Sequence, residues 1–124
     1  MTMDELSVDL QTNKPPQIAR RARIYCSSHD HHGPQPLYTA IVTKARQAKL
    51  AGATVFKGIE GFGAHDLIHA SGIADIASES PIVIELIDTV EKIEAFIAEV
   101  EHWLGAAMIT FEDINVAFRA AKAP

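Results

Sequence analysis

Alternation of apolar and polar positions first becomes regular at Arg20. Over Arg20–Ser27, Ala22, Ile24 and Cys26 fall on one face and Arg23 and Tyr25 on the other, the period of a strand. Ser28-His29-Asp30-His31-His32-Gly33-Pro34-Gln35-Pro36 carries loop chemistry throughout. Leu37, Ile41, Ala45 and Ala48 then recur at helical spacing, Pro36 suits the first turn, and Gly52 is the expected stop. Thr54–Ile59 is β-branched and aromatic enough for a second strand, which Gly58, Gly61 and Gly63 break at its end. His65 to Ser80 has no firm period. Pro81–Ile87 predicts a third strand, and Asp88 with Glu91 three residues later reads as a capping box opening a second helix. Ile93, Ile97, Val100 and Leu104 line one face of that helix, and Gly105 ends it. Met108–Phe111 and Ile114–Phe118 supply a last strand or a bent pair.

The order strand, helix, strand, strand, helix, strand is the ferredoxin-like βαββαβ arrangement, an α+β fold with an antiparallel sheet and two helices on one face. Met1 to Ala19 lacks periodicity and carries Pro15-Pro16, so 1–19 is expected to be a flexible extension. The domain then spans 20–119, with a short tail over 120–124. On the third strand Ile82, Ile84 and Leu86 can meet the helices, leaving Val83, Glu85 and Ile87 opposite. Arg23 with Tyr25, and Val55 and Ile59 with Lys57, are expected to join that second face. Such a face is too apolar for plain solvent and too charged for a core, which points to packing against other copies of the chain.

Composition narrows the classes. A net charge of -5 across 124 residues disfavours a nucleic-acid binder, so no nucleic acid is expected as a partner. The densest apolar stretch, Pro81 to Ile87, is interrupted by Glu85 and is too short for a membrane span, and no secretory signal is visible. One cysteine, Cys26, permits no intrachain disulfide and is compatible with a reducing, cytoplasmic setting.

Gly58-Ile59-Glu60-Gly61-Phe62-Gly63 is the most suggestive local chemistry. Glycines after a strand let backbone N–H groups approach an anion, although the spacing is neither a dinucleotide fingerprint nor a Walker loop. A flexible strand exit explains the same residues. Six histidines raise a metal reading: His29, His31 and His32 share one loop, and His65 and His69 stand four apart. The glycines flanking the latter pair argue against the firm helix such a motif needs. Cys26 reads as a buried small hydrophobe, no serine sits in a nucleophile elbow, and Glu60, Glu85 and Asp88 form no recognisable acid–base pair. No enzyme signature stands out.

Taken together, Arg23-Ile24-Tyr25, Pro36-Leu37-Tyr38-Thr39-Ala40-Ile41-Val42, Leu50-Ala51-Gly52-Ala53-Thr54-Val55 and Lys57-Gly58-Ile59-Glu60-Gly61-Phe62-Gly63-Ala64 closely resemble the PII-like proteins of uncharacterised function. Ile68-His69, Pro81–Glu85 and Glu91–Phe96 continue the likeness, which runs from Arg23 to about Phe118. The resemblance implies a homotrimer with ligand clefts between subunits, a mobile loop to about Ser80, and a small effector, foremost an adenine nucleotide (AMP, ADP, ATP or a cyclic dinucleotide). It implies a regulatory protein with no enzyme activity, whose loop engages a membrane transporter or an enzyme. Gly58, Glu60, Gly61, Phe62, Gly63, Ala64 and His69 would bind the nucleotide, with Glu85 and Asp88 lining the neighbouring strand edge.

Two departures from the family pattern matter. Leu67 and Gly72 stand where relatives often carry arginines, and the run His31-His32-Gly33-Pro34-Gln35-Pro36 has one extra residue. Fewer cations weaken the case for a di- or triphosphate. They leave room for a monophosphate, a cyclic dinucleotide, another anion, or a divalent metal on His29, His31, His32, His65 and His69. A metal-responsive trimer is therefore the alternative. A slow phosphohydrolase using Glu60 or Asp88 ranks third.

Overall fold

A computed structural model describes residues 17–63 and 79–117. The elements are β1 (Gln17–Ser27), β2 (His31–His32), β3 (Gln35–Pro36), α1 (Leu37–Gln47), β4 (Gly52–Lys57), β5 (Pro81–Asp88), α2 (Val90–Val100), a 3-10 turn over Glu101–Trp103, and β6 (Met108–Val116). The main sheet runs β4-β5-β1-β6 and every pairing in it is antiparallel. Both helices lie on one face, which is the ferredoxin-like α+β arrangement expected from the pattern.

The core forms where the period-2 residues of β1 and β5 meet the helical stripes. Ala22, Ile24, Ile82, Ile84 and Leu86 are closed from solvent together with Leu37, Ile41 and Ala45 of α1 and Ile93, Phe96 and Val100 of α2. Burial beside Asp30 pushes the Cys26 thiol up to about 12, so it stays an uncharged apolar group rather than a nucleophile. Arg20 ties α2 to the sheet, donating to Asp113 at 2.7 Å and to Glu94 at 3.1 Å.

Several local expectations are corrected. α1 ends at Ala48, not at Gly52, because Lys49 takes a left-handed backbone (φ 60°) and closes a Schellman turn. In that turn the Leu50 N–H donates to the Ala45 carbonyl at 3.1 Å and the Lys49 N–H to Arg46 at 3.0 Å. Gly52 instead opens β4. The N-cap of α2 is Thr89, whose Oγ1 accepts from the Lys92 N–H at 3.2 Å, so position N3 holds a lysine and the expected capping box is absent. Asp88 is the last residue of β5. The loop from Ser28 to Pro36 contains the small β2–β3 hairpin, turning at Gly33 (φ 60°). β6 is one continuous strand, and β1 starts at Gln17, three residues before the alternation becomes regular.

The second face of the sheet also needs correcting. Val55 pairs with Ile84 and Lys57 with Ile82, which puts them on the helix side, and Ile59 lies beyond the strand. Thr54, opposite Glu85, and Phe56, opposite Val83, belong to the open face instead. Phe56 is 49% exposed and Met108 of β6 is 54% exposed in the single chain.

Candidate functional site

Two regions carry the candidate residues: the glycine segment at the exit of β4 and the open face of the sheet. The glycine segment is built against Pro81. The Gly58 N–H donates to the Pro81 carbonyl at 2.8 Å, and a Cβ at Gly58 would stand only 2.8 Å from Pro81 Cγ. Glycine at 58 is thus required by the close approach of its own chain. A Cβ at Gly61 would make ordinary contact with the Pro81 ring, 3.7 Å from Cγ, while a Cβ at Gly63 would meet nothing within 4 Å among the described residues. Ile59 and Phe62 are 79% and 78% exposed, and Glu60 is exposed beside them. Neither Gly58, Gly61 nor Gly63 has a positive φ, so this stretch does not hold the alternating backbone of an anion nest. Among the described residues, the N–H groups of Gly61, Phe62 and Gly63 have no hydrogen-bond partner. Ala64, His65 and His69 fall outside the described residues.

Glu85 and Asp88 stand apart from the glycines within one chain. β5 lies between β4 and β1, so neither residue lines a strand edge as expected. Glu85 sits mid-strand on the open face, where its Oε1 accepts from Arg23 Nε at 3.1 Å and lies 3.9 Å from Arg21 Nε. Arg21 extends the row to Glu112 on β6. The Arg23 guanidinium is pushed up by its bond to Glu85, and the Glu112 carboxyl is held below its usual range by the bond from Arg21. Tyr25, Val83, Phe56 and Met108 lie to one side of this charged row, Ile87 and Ile114 to the other. Asp88 closes β5 at the end away from Pro81, roughly 20 Å along the strand. It is buried, and its carboxylate accepts from the Ala51 N–H at 2.8 Å and the Thr89 N–H at 2.6 Å. Those bonds give it a local role at two chain reversals.

The three histidines of the 28–36 loop do not converge, and His102 meets the edge of Trp103 at 6.0 Å between ring centroids. His29 Nδ1 lies 3.9 Å from Glu79 Oε1, His31 Nδ1 is 2.6 Å from the His29 carbonyl oxygen, and His32 stacks on Trp103 with ring centroids 3.9 Å apart. Among the described residues no group of three His, Cys, Asp or Glu side chains could hold a metal ion. No helix among them is long and apolar enough to cross a membrane.

Residues that sequence reasoning missed gather around Glu79. Ser27 Oγ donates to Glu79 Oε2 at 2.5 Å and accepts from the His29 N–H at 3.0 Å. The Ser28 N–H donates to the Ser80 carbonyl at 2.8 Å, and the Ser80 N–H donates to Ser28 Oγ at 2.8 Å. The only signal was composition: two serines closing β1 and a Ser-Glu-Ser run before β5. Nothing in their spacing joined positions more than fifty residues apart.

Comparison with known proteins now settles the family. The family model DUF190, described as an uncharacterized ACR, matches residues 19–116. The chain belongs to this family. A protein from Aquifex aeolicus (strain VF5) described as a UPF0166 protein is 33% identical over 96 residues, 77% of this chain and 90% of the relative. Among solved structures, the PII-like nitrogen regulatory protein CPII from Thiomonas intermedia K12, bound to ADP, AMP and bicarbonate, superposes with a TM-score of 0.62 at 13% identity. That match covers 82% of this chain and 91% of CPII. The apo form of CPII matches with a TM-score of 0.51 at 12% identity, over 82% and 94% of the two chains. The fold of this DUF190 chain is therefore the PII-like one, in agreement with the resemblance read from its motifs.

Proposed function

We propose that this DUF190 chain is one subunit of a trimeric, cytoplasmic signalling protein that binds an adenine nucleotide between subunits. The N–H groups of Gly61, Phe62, Gly63 and Ala64 face the phosphate, and exposed Phe62 and Ile59 supply apolar surface for the base. Binding changes the state of the segment from His65 to Ser80, which a transporter or an enzyme then reads, with no bond made or broken. The open sheet faces of three copies meet around the Arg21–Arg23–Glu85–Glu112 row. The observation that carries the reading is a glycine segment in which the N–H groups of Gly61, Phe62 and Gly63 have no hydrogen-bond partner among the described residues, on a fold whose solved neighbour CPII binds ADP and AMP.

Charge refines the effector. Residues 58–91 include no lysine or arginine, while Glu60, Asp66, Asp75 and Glu79 are acidic. Each added phosphate thus brings negative charge without a cation from this stretch to meet it, and charge-assisted contacts are the strong ones. AMP or a cyclic nucleotide is favoured over ATP. Isothermal titration with AMP, ADP, ATP and cyclic dinucleotides, with and without divalent metal, tests this. Saturable binding near one ligand per subunit, tightest for the ligand with fewest charges, is expected. No heat from any nucleotide, or affinity unchanged by Gly61→Val with Gly63→Val, overturns the reading.

A further inference from the structure

Glu79 and Ser80, which lead from residues 64–78 into β5, are bonded to the turn that opens the β2–β3 hairpin. Four contacts make the junction: Ser27 Oγ to Glu79 at 2.5 Å, His29 Nδ1 beside Glu79 at 3.9 Å, and the two reciprocal Ser28–Ser80 bonds at 2.8 Å. Ser27 is fully buried and Ser80 is 5% exposed, so two of the partners are shielded from competing water. The turn is itself closed, with the Ser27 N–H donating to Asp30 Oδ2 at 2.9 Å and the Leu37 N–H to the Asp30 carbonyl at 2.7 Å. Beyond it the hairpin pairs His31 with Pro36 and His32 with Gln35, and His32 lies flat on Trp103 at 20° between ring planes. Trp103 belongs to the 3-10 turn that ends α2 and packs against the core. A continuous set of contacts therefore runs from the residue before Ser80 to the end of α2.

We propose that Glu79 is a positioning residue that locks the strand entry at Glu79 and Ser80 onto the histidine hairpin, so that strand entry and hairpin move as one unit and the His32–Trp103 stack registers their position. For regulation, this rests on the reading above that residues 65–80 respond to an effector. The contact itself does not depend on it. The hairpin histidines, on this account, serve to dock the hairpin rather than to hold a metal.

Trp103 is the sole tryptophan, so its emission reports the stack without a label. An imidazole stacked on indole shields one ring face, and in its protonated form it also quenches emission, so emission is compared at about pH 6. His32→Ala in the full chain should raise both Trp103 emission and its quenching by acrylamide. Glu79→Ala should produce at least half of that change across the hairpin. Glu79→Gln keeps an oxygen able to accept from Ser27 and should restore most of the wild-type signal. Far-UV circular dichroism checks folding, and Ser28→Ala, which removes one Ser28–Ser80 bond, replaces Glu79→Ala if that variant does not fold. A Trp103 signal unchanged by Glu79→Ala while His32→Ala moves it overturns the coupling, as does a signal that His32→Ala leaves alone. Nucleotide titration of the same samples separates the two proposals: absent binding removes the effector reading and leaves the coupling standing.

Discussion

β5 places Ile82, Ile84 and Leu86 on one side and Val83, Glu85 and Ile87 on the other, and the two sides meet different fates. The first set is closed by α1 and α2 within a single chain, at 4% exposure or less. The second set lies half-buried beside Arg21, Arg23, Tyr25 and Phe56, with nothing from the described residues laid over it. One strand thus encodes a finished core and an unfinished one. The finished side follows from hydrophobic burial alone. The other mixes apolar groups with ion pairs, a combination suited to a surface that is covered only on assembly, where charge fixes register more than it adds stability.

The largest expected effect breaks the finished side. Ile84→Ala removes a fully buried side chain between sheet and helices, and should cost about 2–5 kcal/mol in denaturant unfolding, independent of protein concentration. Ile87→Ala, one face over, should cost less, and its cost should shrink toward the single-chain value as protein is diluted if copies cover that face. A second, smaller effect tests the charged row. Glu85→Ala leaves Arg21 and Arg23 without their shared carboxylate, which should weaken association by about 1–3 kcal/mol and appear as a lower mass in sedimentation velocity.

The smallest effect is on the acid side. The bonds from Arg21 to Glu112 and from Arg20 to Asp113 hold both carboxyls below their ordinary values. A lowered folded pKa means that the unfolded chain binds protons first as pH falls. Their contribution is therefore complete above about pH 4–5 and is lost as pH drops through the folded values. Both groups are exposed, so the change is modest, and Tm measured from pH 6 to pH 2 should decline less steeply in Glu112→Gln with Asp113→Asn than in the native chain.

Much of this contrast is legible in the sequence alone. Arg21–Cys26 alternates strictly, and Pro81–Ile87, though apolar on both sides, carries its single charge, Glu85, on one of them, which leaves little choice of face. β4 was not legible in the same way. In Thr54-Val55-Phe56-Lys57 both sides carry β-branched or aromatic residues, and a slip of one position exchanges the faces, which is how Val55 and Lys57 came to be expected on the open side. Helix ends were harder again. Lys49 in a left-handed conformation has no sequence marker, and Asp88 and Thr89 are both good N-caps until the buried Asp88 carboxylate is seen holding Ala51 and Thr89. At the candidate site, the run of glycines was visible, but that Gly58 is demanded by Pro81 was not. That constraint comes from a residue twenty-three positions away. The Ser27–Glu79 and His32–Trp103 contacts were invisible for the same reason, since they join distant segments through side chains with no periodicity.

The claim on which the rest depends is that the open face is completed by other copies of the chain. Sedimentation equilibrium at micromolar concentration measures this directly, because the chain mass is 13.5 kDa. The account predicts a single species of three times that mass, lightened by Glu85→Ala. A particle of one chain mass across the whole concentration range would contradict it, and with it the placement of a nucleotide between subunits.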